Sequence, residues 1–182
     1  MICPWWLGCF LVSPLRRLMQ DPKTILRPFV TEGMVVIEPG CGMGFFTIEM
    51  ARLVGPRGKV IAVDLQPKML AGLQRRARKA GVADRIDARL ADSDRLNVDD
   101  LAGRVDFALV FAVVHELPDE SLFFAEMHRT LRPDGKILVA EPKGHVTAAK
   151  FQASMEAASR LGFRMKDGPA IKGSRAAVLE RA

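Results

Sequence analysis

The chain predicts an α/β protein built on a mostly parallel sheet. Short, nearly continuous apolar runs alternate with longer stretches of helical period, as expected for strands buried on both faces between covering helices. A glycine-rich turn stands where the first apolar run hands over to a helical stretch. The last two apolar runs are separated only by residues 168–174, which is short enough for an antiparallel hairpin.

Each element has a local cause. Ser13-Pro14 and Asp21-Pro22 place a capping side chain before a proline, which suits the first helical position. Two short N-terminal helices are therefore expected, the second reaching Thr31-Glu32-Gly33. Residues 34–38 form the first strand, residues 40–44 the glycine loop, and a helix runs on to about Val54. Residues 55–58 turn the chain into a second strand, 59–63, that ends at Asp64. Pro67 opens the next helix and Gly81 closes it. Residues 85–90 and 105–111 are the third and fourth strands. Asp119 caps a helix through Leu131, with Pro133-Asp134-Gly135 as its stop. A fifth strand covers 136–140, a helix 147–161 ends at Gly162, and strands 163–167 and 175–179 make the hairpin.

A length of 182 residues suits one core. Residues 1–32 read as a helical cover and 33–182 as the main domain. With 49% hydrophobic and 26% charged residues, the composition is that of a soluble globular chain. The formal charge of +6 permits anionic partners without requiring them. The densest basic group, Arg75, Arg76, Arg78 and Lys79, reads as a solvated helix face. Three cysteines make neither a zinc pattern nor a disulfide framework, so no metal and a cytoplasmic setting are expected. The apolar stretch 5–12 falls short of the ~20 residues that span a bilayer, and no cleavage pattern marks it as a signal peptide. It reads as an amphipathic helix, with peripheral membrane contact through Trp5, Trp6 and Phe10 as the alternative.

The glycine turn reads Glu38-Pro39-Gly40-Cys41-Gly42-Met43-Gly44. Glycines allow the tight turn and the close approach of a ligand to the backbone, and open α/β sheets bind ligands at the carboxyl ends of their strands. A dinucleotide fingerprint would need glycine where Phe45 stands, and no Gly-Lys-Ser/Thr follows for a phosphate loop. Glu38 would repel a pyrophosphate and suits a ligand that carries an amino group. A nicotinamide-dependent reductase is disfavoured on both counts, and also by the closing hairpin.

This run resembles the first motif, E/D-x-G-x-G-x-G, of the class I S-adenosylmethionine-dependent methyltransferases, of the methyltransferase type 11-like kind. The resemblance continues through Asp64, Asp92-Ser93, the fourth-strand run 105–111 and Leu131-Arg132-Pro133-Asp134-Gly135-Lys136, covering about residues 33–145. It implies a Rossmann-like three-layer sandwich whose seven-stranded sheet is mostly parallel with a reversed C-terminal strand. It also implies S-adenosylmethionine as cofactor and S-adenosylhomocysteine as product. By the resemblance Glu38, Gly40, Cys41, Gly42 and Gly44 bind the cofactor, Asp64 with Leu65 its ribose side, Asp92 and Ser93 its adenine side, and Phe111 lies near it.

Methyl transfer needs donor and acceptor held in line and water excluded, so no triad or metal cluster is required. His115 is the candidate that contacts the acceptor or takes its proton, and a structural role for it is the alternative. Trp5, Trp6, Glu116 and Glu141 are candidates for the acceptor pocket. Glu141 could equally pair with a basic neighbour. No Asn-Pro-Pro-Tyr or Asp-Pro-Pro-Tyr follows the fourth strand and no cysteine pair follows later, which disfavours base-amino, glutamine, base-C5 and arsenite chemistry. The expected acceptor is a small molecule. An RNA or protein methyltransferase, which the charge would favour, and a non-catalytic S-adenosylmethionine-binding protein are the alternatives.

Overall fold

The computed structural model describes residues 20–181. The helix expected after Ser13-Pro14, with Trp5, Trp6 and Phe10, lies outside the described residues. The chain divides into two compact units, one ending at Ala91 and the other beginning at Asp92.

The first unit runs α1 (Pro22–Leu26), β1 (Val35–Pro39), α2 (Thr47–Leu53), β2 (Lys59–Asp64), α3 (Pro67–Ala80) and β3 (Ile86–Leu90). Its strands pair in parallel in the order β3-β2-β1, with Val36 opposite Val60 and Val60 opposite Ile86. Asp21 caps α1 by accepting from the Lys23 and Thr24 amides. That helix stops well short of residues 31–33. Pro28 has no amide hydrogen to donate back to the Thr24 carbonyl, so the helical ladder stops there. Pro67 starts α3, and Gly81 ends it in the left-handed conformation at φ 69°. One face of α3 buries Met69, Leu70, Leu73 and Ala77, the 3.6-residue period of an amphipathic helix.

The second unit contains β4 (Val105–Phe111), α4 (Glu120–Thr130), β5 (Leu131–Pro142), α5 (Ala148–Arg160), β6 (Phe163–Asp167) and β7 (Ser174–Arg181). Asp119 and Thr147 cap α4 and α5 through their side chains. β4 and β5 are parallel, and β7 runs antiparallel to both β5 and β6 in the order β4-β5-β7-β6. The seven strands and the reversed β7 match the expected Rossmann-like complement. Phe107, Leu109, Phe124, Met127, Ile137 and Leu138 form the fully buried core of this unit.

The stop expected at 133–135 is not a separate turn. Strand β5 begins at Leu131, directly after α4. Val105 pairs with Leu131 and then Phe107 with Lys136, so residues 132–135 bulge opposite the single residue Asp106. Arg132 Nη1 donates to Asp106 Oδ1 at 2.7 Å and pins the bulge.

Candidate functional site

The glycine loop lies between β1 and α2. Gly40, Gly42 and Gly44 all have left-handed φ, at 68°, 53° and 80°. Residues other than glycine take such values at a cost of about 1–2 kcal/mol each, so the alternating pattern suits the backbone of this loop. The loop is held at several points. The Cys41 amide donates to the Val63 carbonyl at 3.1 Å, and the Gly44 amide to the Cys41 carbonyl at 2.9 Å. Asp64, at the end of β2, accepts from the Gly42 amide through Oδ2 at 2.8 Å and from the Gln66 amide through Oδ1 at 2.9 Å. Glu38 is buried and accepts a short hydrogen bond from the Thr47 hydroxyl.

The glycines differ in what surrounds them. A Cβ on Gly44 would fall 2.3 Å from Leu73 Cδ1, so this glycine lets the loop close on α3. A Cβ on Gly42 would meet nothing within 4 Å. Protein packing therefore explains Gly44, whereas Gly42 leaves its backbone open to a ligand. At Gly42 the backbone is open, the Asp64 carboxylate accepts from its amide, and Leu65 next to Asp64 is 39% exposed.

Burial raises the Asp64 carboxyl above its ordinary value, and the Gln66, Gly42 and Leu65 amides oppose that shift. Burial, and then the carboxylates of Glu38 and Asp64, push the Cys41 thiol well up. That shift disfavours the Cys41 thiolate.

Arg76 corrects one expectation. Its guanidinium makes a short hydrogen bond to the Met43 carbonyl and so fastens the glycine loop to α3. It had read as part of a solvated face together with Arg75, Arg78 and Lys79, which are indeed exposed. Its position three residues after buried Leu73 and one before buried Ala77 was the available signal.

The second unit holds the other candidates. Asp92 and Ser93 are exposed in a tight loop, where Asp92 accepts from Asn97 Nδ2 at 3.2 Å. Phe111 is half-buried at the end of β4, and Ala112 follows it with φ 59°. A left-handed alanine costs about 1–2 kcal/mol, and such strain gathers where geometry is held for a purpose. The Ala112 amide donates to the Ala140 carbonyl at 2.8 Å, which fixes the turn. A single helical turn of the tighter 3₁₀ kind follows, Val114–Glu116.

Glu141, at the end of β5, is only 1% exposed. Its Oε1 accepts from the Val113 amide at 3.0 Å and from the Val114 amide at 2.8 Å. Its Oε2 makes a short contact with His115 Nδ1. The side chain thus turns inward onto its neighbours, the pairing alternative for this residue. His145 lies edge-to-face with His115, ring centres 5.7 Å apart. Glu116 is half-buried. Among the described residues no helix is long and apolar enough to cross a membrane.

These features define an α/β domain with a glycine loop after its first strand. A methyltransferase-domain family model matches residues 30–174, and the chain belongs to that family, the class I S-adenosylmethionine-dependent methyltransferases. A crystal structure of a SAM-dependent methyltransferase from Aquifex aeolicus is similar over 98% of both chains, with TM-score 0.87 and 22% identity. A TehB-like SAM-dependent methyltransferase from Corynebacterium glutamicum is similar over 96% of this chain and 98% of that one, with TM-score 0.73 and 16% identity. At such identities these two show the fold. Among curated proteins, a demethylmenaquinone methyltransferase of Lactobacillus johnsonii is 30% identical over 62% of this chain and 45% of its own length. An arsenite methyltransferase of Halobacterium salinarum is 31% identical over 60% of this chain and 27% of its own length. The chain thus spans less than half the length of these two relatives.

Proposed function

We propose that this protein transfers a methyl group from S-adenosylmethionine to a small-molecule acceptor and releases S-adenosylhomocysteine. The observation that carries the reading is the glycine loop, whose middle glycine is open to a ligand while a buried carboxylate holds its amide. Glu38, Gly40, Cys41, Gly42, Gly44, Asp64 and Leu65 form the cofactor side. Asp92, Ser93 and Phe111 keep the cofactor roles that the family resemblance implies. S-adenosylmethionine supplies a methyl group already activated on a sulfonium. The protein's work is then to orient it, to exclude water and to place the acceptor.

The names of the curated relatives favour small acceptors over RNA or protein. The test is calorimetric titration with S-adenosylmethionine and S-adenosylhomocysteine. A hydrogen bond to a charged group is worth about 1.5–3 kcal/mol, so Asp64→Ala should weaken both ligands by roughly 10- to 100-fold or more. A folded wild-type protein that binds neither ligand would make the glycine loop a structural turn and end this reading.

A further inference from the structure

We infer that Arg76 is a positioning residue for the cofactor: its guanidinium anchors a chain of two peptide groups that ends on the Asp64 carboxylate, and so holds the glycine loop in its binding conformation. This rests on the methyltransferase reading above and adds to it a residue outside the glycine motif.

The chain runs through three hydrogen bonds, all within the first unit. The Arg76 guanidinium donates to the Met43 carbonyl. The amide of that same peptide group, Gly44 N–H, donates to the Cys41 carbonyl at 2.9 Å. The amide of the Cys41 peptide group, Gly42 N–H, donates to Asp64 Oδ2 at 2.8 Å. A cation therefore stands at the carbonyl end of the chain and a carboxylate at its amide end. Both peptide dipoles point the favourable way between those charges, and bonds arranged in series polarise one another. Turning either peptide plane would break two hydrogen bonds at once. Asp64 Oδ1 takes the Gln66 amide, so each carboxylate oxygen has one lone pair engaged and another left for a ligand hydroxyl.

Helix α3 meets the loop with three residues inside little more than one turn. A Cβ on Gly72 would fall 2.8 Å from Met43 Cγ, so this glycine makes the notch in which Met43 sits. Leu73 closes on Gly44. Such packing sets how near the loop lies, whereas a hydrogen bond to a carbonyl also sets the tilt of its peptide. Arg76 supplies that bond. It is half-buried, while Arg75, Arg78 and Lys79 beside it are exposed, and a charge-assisted bond shielded from water is the stronger kind. Without it the loop visits other tilts, and a ligand that needs one of them binds with its affinity reduced by the fraction of molecules that hold it. Losing a hydrogen bond to a charged group corresponds to roughly tenfold or more in that fraction.

The experiment uses the full chain with Arg76→Met, which keeps an apolar stem and removes donor and charge, and Arg76→Lys, which keeps both. Arg76→Gln, neutral and shorter, replaces the first variant if Arg76→Met does not fold. Calorimetry reads S-adenosylhomocysteine binding, and NMR reads amide hydrogen exchange in the ligand-free protein. Arg76→Met should bind S-adenosylhomocysteine roughly tenfold or more weakly, and Arg76→Lys should recover most of that loss. Exchange in Arg76→Met should quicken at Gly44 and also at Gly42, two hydrogen bonds further along the chain, while the Leu73 and Ala77 amides inside α3 keep the wild-type rate. A role confined to the stability of α3 would quicken those helix amides as well. Unchanged affinity in Arg76→Met, no recovery in Arg76→Lys, an unchanged Gly42 amide, or equal quickening throughout α3 would each overturn the inference. A wild-type protein that binds no S-adenosylhomocysteine would overturn the methyltransferase reading itself, and the cofactor role of Arg76 with it, whatever the exchange rates show.

Discussion

Gly42 and Gly44 have similar backbone conformations and opposite surroundings, so the same substitution should do different things to them. Alanine at either position must take a left-handed φ, at a cost of about 1–2 kcal/mol. A stiffer unfolded chain returns about 0.4–1 kcal/mol of that. Gly42→Ala meets no atom within 4 Å, so its net destabilisation should stay near ~1 kcal/mol. At Gly44 the new methyl would lie 2.3 Å from Leu73 Cδ1. Leu73 is fully buried, so its side chain must give way inside the core, and overpacking adds about 1–3 kcal/mol. Urea unfolding should therefore separate the two variants by about 1–3 kcal/mol, with Gly44→Ala the weaker fold. Calorimetry with S-adenosylhomocysteine should rank them the other way relative to that loss. Gly42→Ala stays folded yet binds at least about tenfold less tightly, ~1.4 kcal/mol, because its methyl occupies the open side of the loop. Unchanged binding in Gly42→Ala would refute the ligand role of that backbone. Equal stability of the two variants would refute the packing role of Gly44.

Two further outcomes follow from the same geometry. Because burial raises the Asp64 carboxyl, the native state binds its proton more tightly than the unfolded chain does. The stability linked to that proton is fully present below the ordinary aspartate value of about 3.9 and is lost as pH rises through the raised native value. The stability margin of wild type over Asp64→Ala, from urea midpoints, should therefore shrink from pH ~4 towards neutrality, and a margin that grows would mean the amide bonds outweigh burial. Asp119 accepts from the Ser121 amide at 2.8 Å and the Leu122 amide at 3.1 Å, so Asp119→Ala should cost about 1 kcal/mol. Thermal melting checks this, and an unchanged midpoint would show that α4 does not need its cap.

Much of this protein was determined by short stretches of its sequence. The strands at β1, β2 and β4, the caps at Asp21, Asp119 and Thr147, the glycine stops after α3 and α5, and the reversed final hairpin all depend on hydrogen bonds and apolar period within a turn or two. The early end of α1 was just as local, since Pro28 lacks the amide hydrogen that would continue the helix, but the apolar pattern masked it. The glycine loop and Asp64 were legible because their spacing is itself the signal.

The tertiary structure decided what distant residues do to one another. Arg76 looks like its solvated neighbours until α3 docks and brings it to the Met43 carbonyl, 33 positions away. The 132–135 bulge exists only because β4 offers one residue, Asp106, where β5 brings four. Glu141 and His115 stand 26 positions apart, and neither shows in sequence that the other will fill its hydrogen bond. The same holds for the left-handed Ala112, a residue type that carries no local preference for that conformation. Local chemistry writes the elements, because their hydrogen bonds close within a few residues. A buried carboxylate finds its donors only when the strands that carry them are packed side by side, and so its role is a property of the fold.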